Sequence, residues 1–161
     1  MSISEKLSSQ LTNVLSGDPW YGSPVYTIIE GISFEAAYEK PPGSVHNVAE
    51  IVLHMVAWTE EVMDRMNGLP SGLPTSGDWP PIGKPDEQKW QNYVEDLKLV
   101  NVNLIGIIQK FPQEQWNEPI NDERNRGLGT GVTYEELING LIQHHIYHSA
   151  QIALLNRIIN G

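Results

Sequence analysis

Apolar residues return every three or four positions along four long stretches, the period of a helix with one buried face. The first covers residues 4–15, with Leu7, Leu11, Val14 and Leu15 on one stripe, and Gly17, Asp18 and Pro19 end it. Two shorter stretches follow, 23–30 and 34–38; Pro24 suits a first helical turn, and Pro41, Pro42 and Gly43 break the chain. The second long helix is predicted over 47–67. Ser44 or Asn47 can cap it, and Gly68 and Pro70 stop it. Between Ile51 and Trp58 every residue is apolar except His54, so this helix should be buried on most sides. Residues 69–84 (LPSGLPTSGDWPPIGK) read as a loop.

The third long helix spans 86–111, carries Trp90, Tyr93, Val94, Leu97, Val100, Leu104, Ile107 and Ile108 at helical spacing, and ends at Pro112. A second loop occupies 112–131. The fourth helix runs 133–159, and Thr133 with Glu136 matches a capping box. No strand pattern of comparable strength occurs. The expectation is an all-α protein, a four-helix bundle forming a single domain over 1–161.

Composition removes several kinds of chemistry. The 161 residues include no Cys, so disulfides, thiolate nucleophiles, iron–sulfur clusters and Cys-based zinc sites are excluded. Ten Lys and Arg stand against 20 Asp and Glu, a net charge of −10. Such a chain repels phosphate, which argues against nucleic-acid binding through a basic face and against anionic membranes. No leader-like segment opens the sequence, and no apolar run approaches the roughly 20 residues that span a bilayer. A cytoplasmic protein acting on a small molecule is expected.

The histidines carry the most information. They fall at 46, 54, 144, 145 and 148. On the last helix the inward stripe reads Leu137, Leu141, His144, His148, Ile152 or Gln151, Leu155, Ile159. His144 and His148 therefore replace apolar residues one turn apart, where Cβ atoms lie roughly 5–6 Å from each other. His145 is rotated by about 100° and should point elsewhere. His54 is the polar residue within an apolar stretch of a facing helix, and needs hydrogen-bond partners or a metal. Three imidazoles donated by facing helices of a bundle, with open coordination positions, form the pattern of a catalytic metal site. The competing reading is a set of hydrogen-bonded core histidines. His46 and His145 are assigned to structural or supporting roles. Trp58, one turn after His54, is a pocket-wall candidate, although core packing accounts for it as well. Trp79 in the Pro/Gly loop is harder to explain by packing and suits a pocket mouth. Glu60, Glu61 and Gln151 are candidates for orienting a water.

Two known metal motifs are disfavoured. A zinc peptidase needs Glu directly after its first His, and His145 stands there. A di-iron bundle needs Glu-x-x-His pairs, which do not occur.

The segments NVAEIVLHMVAWTEEVMDRM and LIQHHIYHSAQI resemble the DinB/YfiT-like superfamily, whose early helix carries one His before an aromatic residue and whose last helix carries an H-x3-H-x-x-Q motif. The resemblance spans essentially the whole chain. It implies a bundle with a non-sequential helix arrangement and a divalent metal (nickel, zinc, iron or manganese) on His54, His144 and His148. It implies a homodimer as well. Relatives include thiol-dependent transferases and isomerases, and others described as metal-dependent hydrolases. The sequence departs from the family where Ser149-Ala150 precede Gln151 in place of a basic residue and Gly. With no Cys in the chain, a low-molecular-weight thiol would have to arrive as a cosubstrate. The leading expectation is thus a thiol S-transferase with a metal-activated thiolate; the alternatives are a hydrolase using metal-bound hydroxide and a non-catalytic stress-response bundle.

Overall fold

Each long helix begins at a side chain that closes its first turn. The computed structural model describes residues 1–124 and 131–161, so part of the second predicted loop, 125–130, lies outside the described residues. Helix α1 (Ile3–Ser16) starts at Ser2, whose hydroxyl accepts from the Glu5 amide while the Glu5 carboxylate accepts from the Ser2 amide. Two short helices follow, α2 (Val25–Glu30) and α3 (Phe34–Tyr38). Helix α4 (Val48–Met66) opens on the same reciprocal device between Asn47 and Glu50, at 2.8 and 2.9 Å. Asn47, not Ser44, is therefore its cap; the Ser44 hydroxyl donates instead to the His46 carbonyl. Gly68, in the left-handed region at φ 84°, follows the end of α4. Helix α5 (Glu87–Lys110) is capped by Asp86, and α6 (Tyr134–Asn160) by the Thr133–Glu136 pair anticipated from sequence. These bonds satisfy N–H groups that no helical carbonyl can reach.

The four long helices pack in the order α1–α5–α4–α6 around the bundle, so that α4 lies between α5 and α6, and α1 faces the same two from the other side. This order is not the chain order. It makes α4 and α6, the two histidine-bearing helices, direct neighbours. The core is drawn from all four: Leu7 and Leu11 of α1, Met55 of α4, Leu97, Leu104 and Ile108 of α5, and Ile138 and Ile152 of α6 are fully buried. Trp116, beyond a 3-10 turn at Gln113–Gln115, closes the end of the core, its ring 4.5 Å from that of Phe111 and its Nε1–H donating to the Ser4 hydroxyl. Trp116 falls within the predicted second loop, and its burial agrees with the expectation that the five tryptophans are core or pocket wall. Tyr93, Val94 and Ile107 lie at the margin of the core, only partly buried. No strand occurs among the described residues, and no described helix is long and apolar enough to cross a membrane.

His145 and Asn101 form a polar pair within this core. His145 points away from His144, as expected, yet its ring is wholly buried. Helix α6 packs against both α1 and α4, so a rotation of about 100° along it still ends inside protein. The Asn101 amide donates to the Leu97 carbonyl, which turns its Oδ1 toward His145, whose Nε2–H donates to it at 2.9 Å. Replacing Asn101 with Leu would strip that donor of its acceptor at nearly constant volume. The expected loss is about 1–3 kcal/mol of unfolding free energy, read as a lower urea midpoint at unchanged slope. Adding His145→Leu should recover most of it.

Candidate metal centre

The side of α4 that faces α6 presents His54, and α6 answers with His144 and His148. One ring nitrogen from each of the three lies within 4.8 Å of the others. Ring centroids are 5.1 Å apart for His54 and His144, 4.7 Å for His54 and His148, and 4.4 Å for His144 and His148. His54 and His148 are buried and His144 partly so.

The outer nitrogens fix which atoms face inward. His54 Nδ1 lies 2.6 Å from the Asp78 carbonyl oxygen, which can only accept, so Nδ1 carries the proton and Nε2 a bare lone pair. His148 Nδ1 donates to Gln151 Oε1 at 2.7 Å, with the same consequence. His144 Nε2 lies 3.1 Å from His54 Nε2, and His144 Nδ1 is buried with no hydrogen-bond partner. Two nitrogens bound tetrahedrally at about 2.0–2.1 Å to one ion would lie roughly 3.3 Å apart. The donor set therefore fits a divalent ion: three imidazoles, lone pairs converging, outer N–H groups on two of them held by oxygen acceptors.

Burial sets their protonation. It pushes His144 down to about 3, helped by the potential charges of His148, His145 and His54. His54 is lowered by burial against the opposing pull of Asp78, and His148 by burial against its bond to Gln151. All three stay neutral near neutral pH, the form that can ligate a metal.

The loop between α4 and α5 completes the site. Asp78 holds His54 through its backbone carbonyl and places a carboxylate oxygen 3.3 Å from the same nitrogen; that oxygen also accepts from Trp58 Nε1 at 2.7 Å. Trp58 thus acts on His54 through Asp78. Trp79 lies flat between two imidazoles, 3.5 Å from His46 and 3.9 Å from His54, centroid to centroid, and its rings are within 11° of parallel with both. Beside it opens a cavity of about 490 Å³, lined by His46, Trp79, His148 and Gln151 together with apolar side chains. The pocket-mouth reading of Trp79 agrees with this position. A larger cleft of about 690 Å³ sits at the C-terminal end of α4, around Met66, Phe111 and Tyr134, and has no His or carboxylate in its lining.

The remaining candidates go elsewhere. Glu61 is buried two turns from His54, and its Oε1 accepts from Arg65 Nε at 2.8 Å and from the Gly72 amide at 2.9 Å. It fastens the loop to α4 and has no water to orient at the triad. Glu60 lies at the surface, its pKa raised by partial burial of the carboxyl and then by Asp96 and Asp64 nearby. Sequence reasoning did not single out Asp78, whose role depends on how the loop returns; His46, assigned a structural or supporting role, stacks on Trp79 beside the triad. For Glu61 a signal existed, since Arg65 lies four residues on.

Neutral buried imidazoles make stability depend on acid. The unfolded chain protonates its histidines near 6.5, whereas folded His144 resists down to about 3. Within that window the unfolded state binds more protons, so stability falls as pH falls. Burial lowers His145 to about 3 as well and lowers His54 and His148, so urea unfolding of the metal-free protein at stepped pH should show this decline, and His144→Gln should make it shallower without abolishing it.

No curated protein and no solved structure gives a match to this chain. The sequence model of the DinB superfamily does, over residues 25–152, a span that runs from α2 through most of α6 and includes His54, His144 and His148. On that match the chain belongs to the DinB superfamily.

Proposed function

We propose that the protein is a divalent-metal-dependent enzyme, and that its reaction is transfer of a low-molecular-weight thiol to an electrophile. The observation that carries this reading is the convergence of three neutral imidazoles beside a cavity whose lining contains no carboxylate. A divalent ion on three neutral ligands keeps its full charge and supplies Lewis acidity, enough to favour the thiolate form of a bound thiol. The chain's own residues then have defined tasks. Asp78 and Gln151 hold the outer N–H of His54 and His148, so that both rings present Nε2. Trp79 covers one face of His54 and keeps water from it. The apolar wall at Ile51, Leu154 and Leu155 receives the second reactant.

Hydrolysis needs a general base as well, and the carboxylates of Asp78 and Glu61 are engaged, Asp78 with Trp58 and Glu61 with Arg65 and Gly72. One observation favours a hydrolytic reading nonetheless. His46 lines the same cavity, and Glu50 stands 3.6 Å from its Nδ1.

Elemental analysis of purified protein should give close to one divalent ion per chain, and His54→Ala or His148→Ala should lose it. Stoichiometric metal in both variants rejects the ligand set. A panel of small thiols with an electrophile, run against ester and amide substrates, separates the reactions. Turnover without any thiol dependence removes the transferase reading, and loss of that turnover in His46→Gln would favour hydrolysis.

A further inference from the structure

The cavity beside the triad has a selective chemistry of its own. None of its ten lining residues is Lys, Arg, Asp or Glu. Its walls are Val45, Ile51, Leu154, Leu155 and the Trp79 ring. Its volume, about 490 Å³, lies within the roughly 300–1,000 Å³ common for small-molecule sites.

The charges that stand behind these walls are negative. Glu50 is 3.6 Å from His46 Nδ1 and the Asp78 carboxylate is 3.3 Å from His54 Nδ1. Lys40 approaches only as far as 4.0 Å from Glu50, which answers its charge. The whole chain carries −10. In the metal-free protein an anion entering this space would give up water and meet no cationic side chain in the lining, a net cost.

The free polar groups point to the opposite kind of ligand. Gln151 spends its Oε1 on His148, and its Nε2 makes no hydrogen bond among the described residues. The Tyr147 hydroxyl likewise makes none; this residue is 62% exposed and stands at the rim, its ring edge-on to His148 at 5.0 Å. Both groups can donate, and a neutral oxygen acceptor on a mostly apolar body would complement them.

We infer that this cavity binds an uncharged, largely apolar molecule bearing a carbonyl-type acceptor, and rejects a carboxylate of the same shape. That this molecule is the electrophile of the proposed reaction rests on the reading of the triad as a metal centre. The selectivity itself does not, because no metal contributes to it.

Benzamide and benzoate are matched in size and differ in charge, and both can be titrated into metal-free protein while methyl and indole signals are followed by NMR. Benzamide should shift Ile51, Leu154 and Leu155 methyls and the Trp79 indole N–H saturably. Benzoate should bind at least about tenfold more weakly, the least that burial of an unpaired charge implies. Leu154 is 59% exposed, so Leu154→Lys adds a cation at the rim without disturbing the core, and should close or reverse that gap. Equal binding of the two probes by the unaltered protein overturns the inference. So does failure of benzamide to shift these signals, or a gap that Leu154→Lys leaves unchanged. Metal content is measured separately, so loss of the metal reading and loss of this one are told apart.

Discussion

A buried imidazole has two nitrogens to satisfy, and four buried or half-buried rings are gathered here around one helix. Each ring is settled differently. His145 donates through Nε2 to Asn101, His54 through Nδ1 to Asp78, and His148 through Nδ1 to Gln151. His144 has only the face-to-face approach to His54 Nε2, with its Nδ1 unpartnered. Left as protein alone, the His144 Nε2–H can donate to the bare His54 Nε2 at 3.1 Å, while the Nδ1 atoms of His144 and His145 stay buried without partners. A cation among the three inner nitrogens would replace that single hydrogen bond with three ligand bonds, and the convergence of all three rings is what makes the triad a candidate centre.

The fold serves that convergence at two levels. The packing order makes α4 and α6 neighbours although α5 separates them in sequence, so residues ninety positions apart come within hydrogen-bond distance. The loop between α4 and α5 then returns over His54. Glu61 and Arg65 grip its beginning at Gly72, and Trp58 grips Asp78 further along. With both points held, Trp79 is delivered flat onto the His54 ring and His46 closes over its other face. The short segment before α4 brings His46 there, so two irregular stretches and two helices build one site.

What the sequence made legible follows from period. Apolar spacing and caps located the long helices to within a residue or two, and the i, i+4 pair of His144 and His148 on an inward stripe pointed to a shared ion. Contacts set by chain return were beyond reach. Asp78 in a Pro- and Gly-rich loop has no periodic signature, and for Trp116, whose residue type suggested core or pocket wall, the partner was not legible because it depends on the segment after α5 folding back onto α1. His145 marks a middle case: its rotation away from His144 was legible, but its full burial depends on α6 having protein on two sides. Glu61 was misjudged for a different reason. It was one of three residues offered for orienting a water, and the nearer partner, Arg65, holds its carboxylate instead.

The disposition of acid side chains draws these points together. Twenty Asp and Glu are present, yet the cavity has none in its lining. Glu5, Glu50 and Glu136 are used at helix starts, where they satisfy backbone N–H groups and meet the positive end of the helix dipole. Asp78 and Glu61 are used to hold a loop. The negative charge is thus placed around the triad instead of in it, while the triad itself stays neutral. That separation gives a long-range field that draws a cation inward and a local ligand set that leaves the cation's charge undiminished. Had one of the three ligands been a carboxylate, the field would be little changed, but a bound divalent ion would keep one unit less of charge with which to polarise a substrate.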